Sequence, residues 1–596
     1  MRAFTEPLQE LEEFQKIQQA LKKQSIQVTG CIDAQKAHFI YAAGAAKKKL
    51  IVTYSELRAK ELCENYRLFD KNVLFYPAKD LIFYSADVQS NLLVQQRIRV
   101  LQKLMEEEEV TIVTTMGGIM DHLLPPEVFQ KQIETVESDS EFDMELWKKK
   151  LTAMGYERVG QVEGSGQFAV RGGILDIFPL TEENPVRIEL WGDEIDSIRS
   201  FDVESQRSIE NLDRIRIYPA GEFIADDGRI KKGLAVLEKE AKRLADQFFQ
   251  ERKTEESARL KAFAEEVKQS LTQWKQMSVL DGLAPYFYDR MVSFAEYFPK
   301  EALVVLDEPN RLWEEAQAIE KEFRESMTNR LEKGYVLPGQ MNILYSGEQV
   351  AATLEKNAVV TLATMETKYG YFKKEMHVDI AARNIAPYNN SFEALVKDLK
   401  KYKKNGYRVL LLSGSRTRAR RLAEDLRNTE DAGLTAVYTE DPMREVQPGE
   451  ILTYYGHVNK GFEYPWLKFV VLSESDIFGA EKRKKKKKKL YQGQKINDFN
   501  DLKIGDYVVH ETHGLGIYKG IEKVEVDKVV KDYLKIEYRD GGNLYILATG
   551  LDVIQKYASA DAAKKPKLNK LGGKEWEHTK TKVRSAVSAV AKDLVE

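Results

Sequence analysis

Cysteine is almost absent from this 596-residue chain, which contains only Cys31 and Cys63. Two cysteines cannot build a disulfide framework, so the composition fits a reducing compartment and we expect a cytoplasmic protein. No apolar run approaches the roughly 18 residues that a membrane helix needs. The first residues form a helical pattern and do not resemble a signal peptide, so we expect no membrane partner.

The chain also has no large excess of positive or negative charge. The chain has 91 Lys and Arg residues against 94 Asp and Glu residues, which gives a formal net charge of −3. No global field therefore attracts nucleic acid, and any such contact must come from a local patch. The run KRKKKKKK at 482–489 is one candidate. It lacks aromatic residues for base stacking, so a solvated tether is favoured over a DNA contact.

The hydrophobic pattern predicts a multidomain α/β protein. Short apolar segments such as KLIVTYS, VTIVTTM and EALVVLDEP resemble buried parallel strands between helices. Denser alternation near the end of the chain predicts a small β-barrel with turns at Gly514, Gly516 and Gly520. The predicted units are an α/β domain in two parts (1–120 and 211–388, the second with a helical excursion), an inserted α+β module (121–210), a small α/β domain (390–480), a basic linker (481–495), the barrel (496–560) and the start of a helix (570–596).

An α/β domain invites a search for a nucleotide site. A P-loop requires G-x-x-x-x-G-K-[ST], whose glycines expose backbone amides to phosphate and whose Lys neutralises it. The only candidate is VTGCIDAQKAH, in which Gly30 follows a strand. Cys31, Asp33 and Ala34 then fall within the stretch where the Gly-Lys-Thr core should be, and Asp33 would repel phosphate. We therefore expect a degenerate, RecA-like α/β domain that does not bind ATP at this turn.

Two acidic residues resemble the end of a Walker B strand, where a carboxylate holds Mg²⁺. They are Asp307 and Glu308, which follow the apolar segment EALVVL. Without a phosphate loop they have no nucleotide to serve, so we expect a solvated strand end.

Metal sites and catalytic groups are not evident. His510 and His513 lie in HETHG, but no cysteine or third histidine is near, which argues against a metal site. The pattern contains no Ser-His-Asp or Cys-His arrangement, so we assign no catalytic residue and leave enzymatic activity open.

Two segments favour protein binding instead. The 121–210 module is rich in arginine and also contains Phe168 and Trp191. Arginine and aromatic residues are the usual anchors of protein interfaces, although the arginines could equally be ordinary surface charge. Strand edges in the 496–560 unit could accept a partner strand, although its apolar residues could equally fill a barrel core.

The first of these segments carries family motifs. It contains YERV, FAVRGGILDIFP and IELWGDEIDSIRSFD. These resemble the module by which the excinuclease B subunit and bacterial transcription-repair-coupling factors (Mfd) bind the excinuclease A subunit. The resemblance implies excinuclease A contacts at Arg158, Phe168, Arg171 and Phe178.

The second segment, 504–557, contains IGDYVVHETHGLGIYKG. It resembles the CarD-like domain of the same coupling-factor family, a Tudor-like (SH3-like) barrel that binds the RNA polymerase β subunit. The resemblance implies polymerase contacts at Ile521, Val524 and Tyr533.

Together the motifs are similar to the amino-terminal half of a coupling factor in transcription-coupled nucleotide-excision repair. The resemblance implies a docking function, recruiting the excinuclease to stalled polymerase. The family's ATP-driven DNA translocase follows the helix at which this sequence ends. We therefore expect no cofactor here, since ATP and Mg²⁺ belong to that motor, and at most weak binding of double-stranded DNA. A CarD-like transcription regulator with an added scaffold and an independent ATPase or helicase remain alternatives.

Overall fold

The computed structural model describes most of the chain, and none of the helices in this part is long and apolar enough to cross a membrane. The basic run at 482–489 and the predicted helix at 570–596 lie outside the described residues. The described residues are 2–21, 25–44, 46–79, 91–138, 140–203, 205–273, 275–366, 376–429, 433–479, 494–495, 502–510, 513–526, 529–539, 543–547, 554–557, 566 and 568–569.

The first 130 residues alternate helices with short apolar strands. Nearly every residue of these strands is buried, as expected when both faces of a parallel sheet are covered. The elements are α1 (Arg2–Gln9), α2 (Glu12–Ala20), β1 (Ile26–Thr29), α3 (Asp33–Ala43), β2 (Lys48–Thr53), α4 (Glu56–Tyr66), β3 (Val73–Tyr76), α5 (Asn91–Glu106), β4 (Val110–Thr115), α6 (Met116–Met120), β5 (His122–Leu123) and α7 (Pro126–Gln130).

A smaller α+β module interrupts this domain. Its strands form a six-stranded sheet in the order β12-β11-β10-β9-β8-β7, and β6 pairs with β13 where the chain enters and leaves. The sheet packs on α8 through a separate apolar core. The elements are β6 (Glu134–Glu137), α8 (Met144–Ala153), β7 (Glu157–Arg158), β8 (Gln167–Arg171), β9 (Ile174–Ile177), β10 (Val186–Trp191), β11 (Glu194–Phe201), β12 (Ser208–Asn211) and β13 (Arg214–Ile217).

The α/β domain then resumes through two long helices. Leu234, Leu237, Ala241 and Phe248, which lie in the segment predicted as a helical excursion, join the core of the first domain. The elements are α9 (Asp227–Gln250), α10 (Thr254–Thr272), α11 (Ala284–Phe287), β14 (Val292–Ser293), β15 (Leu303–Asp307), α12 (Pro309–Glu332), α13 (Gly347–Leu354), β16 (Ala358–Leu362) and β17 (Met376–Asp379), with 3-10 turns at Met277–Leu283, Phe294–Tyr297 and Pro338–Asn342.

Among the described residues, seven strands from both parts form one parallel sheet in the order β17-β1-β16-β15-β2-β4-β3. Successive side chains point to opposite layers: Leu50 and Val52 face one core, whereas Ile51 faces the other. This three-layer arrangement confirms the α/β architecture that the sequence predicts.

The next unit is a second α/β domain. Its mixed sheet runs in the order β18-β22-β23-β19-β21-β20, with β19 parallel to both β21 and β23. One face of the sheet is covered by two helices, and the other packs against α1 and α3 of the first domain. The elements are β18 (Arg383–Asn384), α14 (Phe392–Lys404), β19 (Arg408–Ser413), α15 (Arg416–Arg427), β20 (Ala436–Tyr438), β21 (Ile451–Tyr455), β22 (Phe462–Tyr464), β23 (Phe469–Leu472) and α16 (Glu474–Phe478), with a 3-10 turn at Pro465–Leu467.

The last described unit is all β, with strand order β24-β29-β25-β26-β27-β28. Gly520 has φ +111° where the register of β26 shifts, so it forms a bulge. Gly516 and Gly520 both lie inside β26, so the turns predicted at these two positions are wrong; a Cβ at Gly516 would be 2.5 Å from Ile536. The strands are β24 (Gln494–Lys495), β25 (Tyr507–His510), β26 (Gly514–Val526), β27 (Val529–Glu537), β28 (Asn543–Leu547) and β29 (Ile554–Lys556).

A buried histidine joins the two α/β domains. His38 on α3 contacts the carbonyl oxygen of Phe4 at 2.6 Å and the hydroxyl of Tyr464 at 3.1 Å. Its ring also lies 5.0 Å from that of Phe462. Burial lowers the pKa of His38 to about 4, because charging the ring inside this aromatic cluster would cost desolvation energy.

This pKa predicts acid sensitivity. His38 stays neutral in the folded protein but gains a proton below about pH 6.5 once unfolded. Its contribution is therefore complete above pH 6.5 and is lost as the pH falls towards 4. We expect wild-type protein to lose about 2 kcal/mol of unfolding free energy more than a His38→Gln variant between pH 7.5 and pH 5. Urea denaturation at both pH values measures this, with exposed His457→Gln as the control. Equal pH dependence in all three proteins would contradict the assignment.

Candidate functional site

The turn that the sequence analysis compares with a P-loop lies between β1 and α3. Gly30 has φ +69°, and a Cβ there would lie 2.5 Å from the backbone nitrogen of Ala381, so only glycine fits. The amide of Gly30 donates to the carbonyl of Thr364 at 3.3 Å, and the amide of Cys31 donates to that of Ala363 at 3.2 Å. Amides that would have to face a phosphate are thus bonded to the chain itself.

A lysine ammonium lies between the two acidic side chains at the end of β15. Lys36 Nζ lies 2.6 Å from Asp307 Oδ1, 2.7 Å from Glu308 Oε1 and 3.3 Å from Asp33 Oδ1. Asp307 is 1% exposed, so the expectation of a solvated strand end is wrong for this residue. Lys36 lies one helical turn beyond Asp33 and reaches these acids from within α3.

A second cation completes the cluster. Arg58 Nε lies 3.2 Å from Asp307 Oδ2, and Thr53 Oγ1 donates to the same oxygen at 2.9 Å. Burial alone would raise the pKa of Asp307, but Lys36 and Arg58 hold it below its ordinary value. For Lys36 the two effects have the opposite sign: burial alone would lower its pKa, but Asp307 and Glu308 raise the pKa above its ordinary value. Both groups are therefore charged at neutral pH.

The remaining residues of this turn are not reactive. Burial raises the pKa of Cys31 to about 12, which keeps the thiol protonated and removes it as a nucleophile. Ala34 is buried in the first turn of α3. Asp33, Asp307 and Glu308 can each place a carboxylate oxygen within 4.8 Å of the others, the spacing of a cation site. The Lys36 ammonium bonds to all three, so it takes the position that a metal ion would need.

The inserted module is anchored by another buried charge network that the sequence did not reveal. Arg97 is fully buried, with Nε 2.7 Å from Glu222 Oε1 and Nη2 2.7 Å from Asp121 Oδ2. Lys79 pairs with Glu222 and lies 3.4 Å from Asp281. Burial would raise the pKa of Glu222, but Arg97 and Lys79 lower it to about 2. Glu222 follows β13, so this network fixes the point at which the chain leaves the module.

The arginines predicted for excinuclease binding are at the surface. Arg158 is exposed in β7, an edge strand of the module sheet. Arg171 ends β8 with 49% of its side chain exposed, and its Nη2 lies 2.7 Å from Asp176 Oδ2. Asp176 is buried, and Arg187 also binds it through two contacts of 2.7 and 2.9 Å. The sheet therefore holds Arg171 in place while part of its guanidinium faces solvent.

The two phenylalanines predicted for excinuclease binding are less exposed than the arginines. Phe168 has no exposed surface and packs with Leu175 and Ile177 in the module core. Phe178 is half-buried just after β9, and its backbone pairs with Gly166 and Gln167. Burial places Phe168 where it supports the sheet rather than where a partner could touch it.

The polymerase candidates lie on β26 and β27. Ile521 is 52% exposed, so its side chain is accessible to a partner. Val524 continues the same strand opposite Lys531, and its side chain lies outside the described part of the chain. Tyr533 on β27 is buried. Strand β28 is at the end of the sheet order, so it offers an edge next to β27.

The inserted module also exposes a tryptophan side chain. Trp191 is 83% exposed at the end of β10, where Gly192 (φ +67°) turns the chain into β11. The motif IELWGDE could have indicated it, because Ile188 and Leu190 take the core-facing positions and strand alternation places Trp191 on the other face.

Two family models match the chain. Residues 135–223 match the UvrB interaction domain, and residues 502–558 match the CarD-like/TRCF RID domain. The first range corresponds to the inserted module and the second to the terminal β unit.

Curated relatives match nearly the whole chain. The transcription-repair-coupling factor of Bacillus subtilis strain 168 is 32% identical over 560 residues, covering 92% of this chain and 46% of the relative. Those of Staphylococcus haemolyticus and Staphylococcus aureus Mu50 are 30% identical and cover 98% and 100% of this chain, but 49% and 50% of the relatives. The chain spans about half the length of these transcription-repair-coupling factors and is similar to them over nearly all of its own length.

Proposed function

We propose that the chain is a two-headed docking unit for transcription-coupled nucleotide-excision repair. The observation that carries the proposal is the presence of both family domains in one chain, each with exposed candidate contacts. One head binds the excinuclease and the other binds RNA polymerase. No covalent chemistry is required of either surface.

The first head is the inserted module, which we assign to the excinuclease A subunit. Arginine is a common anchor of protein interfaces because its planar guanidinium forms directed pairs with carboxylates. Arg171 is held by Asp176 before any partner arrives, so less side-chain entropy is lost on binding. Arg158 extends the basic surface along the edge strand.

The second head is the terminal β unit, which we assign to the β subunit of RNA polymerase. We infer that its sheet closes into a small Tudor-like barrel of the CarD type. Ile521 and Val524 are the apolar contacts that we assign on β26, one on each face of the strand, and strand addition at an exposed sheet edge would provide backbone hydrogen bonds. Buried Tyr533 contributes by supporting β27.

The first domain serves as a scaffold that has lost nucleotide binding. Lys36 neutralises the acidic pair from inside, and the turn at Gly30 has bonded its amides to the chain. A bound Mg²⁺ would have to displace a buried ammonium with three carboxylate partners. We therefore assign no ATP or Mg²⁺ to this part of the chain, which disfavours an ATPase located at this turn.

Because Lys36 lies among the carboxylates of Asp33, Asp307 and Glu308, we expect its removal to lower the free energy of unfolding. Replacing Lys36 by methionine leaves Asp307 charged and short of a partner, and loss of one member of a buried ion pair costs about 3–5 kcal/mol. Urea denaturation should show this loss for Lys36→Met but not for Lys60→Met, whose side chain is 61% exposed on the neighbouring α4. The double variant Lys36→Met/Asp307→Asn should recover part of the loss.

Calorimetric titration of wild-type protein with Mg·ATP should show no binding at this turn. Binding that Lys36 substitution alters would contradict the assignment of Lys36 to this site.

The excinuclease head predicts a selective loss of binding. Arg171→Ala should weaken binding to the excinuclease A subunit by about 2 kcal/mol, roughly 30-fold in Kd, if it is an interface anchor. The sheet should persist, because Arg187 still neutralises Asp176 through two contacts. Surface plasmon resonance measures the change, with exposed Arg214→Ala on the separate β6–β13 ribbon as the matched control. Equal affinities of the two variants would argue against this surface.

The polymerase head predicts the reciprocal result. Ile521→Arg and Val524→Arg each place a charge in an apolar contact and should abolish co-purification with core RNA polymerase, while excinuclease binding is retained. Gln555→Arg adds the same charge at an exposed position of β29 and serves as the control. A wild-type chain that binds polymerase but no excinuclease would support a CarD-like regulator in place of the two-headed unit.

A further inference from the structure

The small α/β domain has one free face, and two helices form it. Leu399 of α14 and Leu426 of α15 pack on the same side of the sheet, against Val409 and Leu411 of β19. The opposite side, including Leu410, is buried against the first domain. The outer surfaces of α14 and α15 are therefore what this domain presents to solvent.

These two helices are strongly basic although the chain is not. Residues 392–404 and 416–427 contain ten Lys and Arg residues and four Asp and Glu residues, a net charge of +6. The whole chain has a net charge of −3. Because both helices lie on one face, this charge is concentrated on a single surface.

On α14 the lysines form one stripe. Lys397, Lys400, Lys401 and Lys404 follow the i, i+3, i+4, i+7 spacing of one helix face, and all four are exposed. At 1.5 Å per residue the stripe extends for about 10 Å. This length is close to three phosphate spacings of one DNA strand, about 3.4 Å each along the duplex axis.

On α15 the arginines are held in position. The Arg416 guanidinium lies 5.0 Å from the Tyr455 ring, and that of Arg420 lies 5.0 Å from the Tyr438 ring. Both tyrosines are at the carboxyl ends of their strands, the edge at which open α/β sheets bind ligands. The ring contacts hold each guanidinium near the surface before binding, and each side chain remains more than 60% exposed although Glu440 lies beside both.

Acidic neighbours reduce this charge without cancelling it. Glu440 pairs with Arg416 at 3.0 Å and lies 3.8 Å from Arg420, and Glu474 pairs with Arg418 at 2.6 Å. Subtracting these two acids from the +6 of the helices still leaves a positive surface. Arg421 is 81% exposed, with Asp425 at 3.9 Å as its acidic neighbour.

The composition of this face favours phosphate over protein. Neither α14 nor α15, both fully described, has a large apolar side chain among the exposed ones. Protein interfaces are depleted in lysine at their centre and depend on apolar or aromatic anchors. The row of lysines on α14, next to arginines that tyrosine rings hold in position, instead fits the regularly spaced phosphates of a nucleic acid.

We propose that the outer face of α14 and α15 binds the phosphate backbone of duplex DNA without reading its sequence. The contact would be weak at physiological salt, because it depends on counterion release. It goes beyond the two docking surfaces, and its test uses DNA alone.

The test is a salt series of fluorescence anisotropy titrations with a labelled 20-base-pair duplex and the whole chain. Lys397→Gln/Lys404→Gln/Arg421→Gln removes three exposed cations from the face. Each phosphate contact contributes about 0.9 to the slope of log K against log salt, so the slope should fall by about 2 to 3. The matched control is Lys239→Gln/Lys242→Gln/Arg243→Gln, which removes the same charges from exposed positions of α9.

The basic run at 482–489 is a second possible source of DNA binding. Replacing the six lysines at 484–489 by glutamine removes it, and the comparison is repeated in that background. A decrease of the slope caused by the α14/α15 substitutions in both backgrounds supports the proposal. Equal slopes for the α14/α15 variant and the α9 control would overturn it, whatever the result of the docking experiments.

Discussion

The ion pair between Lys36 and Asp307 is the interaction on which the central domain depends. A carboxylate at the end of an internal strand of a parallel sheet, buried by helices on both faces, cannot remain charged without a partner. In a nucleotide-binding domain of this architecture, a metal ion and phosphates provide that partner. Here the lysine provides it permanently, so the edge of the sheet is stable without a ligand. The domain can then serve as a rigid support for the surfaces attached to it.

The same principle recurs where the inserted module joins the domain. Arg97, Lys79 and Glu222 form a network with almost no solvent, and Glu222 lies where the module returns to the α/β domain. Buried charges are costly to separate, so this network restricts how the module can rotate on its support. Asp176 acts similarly within the module, because it fixes two arginines on the outer face of the sheet. Buried acids thus position the basic groups that a partner would meet.

The architecture could largely be predicted from sequence because it depends on local patterns. Apolar runs such as VTIVTT identified buried parallel strands, and the change to short alternating strands marked the inserted module. The sites were less predictable because they depend on distant pairings. Asp307 lies 271 residues from Lys36, and no local pattern links them. Phe168 matched a family motif, but whether it faces a partner or the core was decided by the fold of the sheet.

The distribution of charge explains how one near-neutral chain could engage several partners. Arginines on the module are partly neutralised by buried acids, which limits unspecific attraction and leaves affinity to shape and directed contacts. The terminal β unit offers apolar surface at Ile521, where charge contributes little. In the described part of the chain, α14 and α15 concentrate positive charge on the face of a domain that neither proposed protein partner requires. A long-range attraction to phosphate there would bring the chain to DNA, whereas the two shorter-range surfaces would determine which proteins it joins.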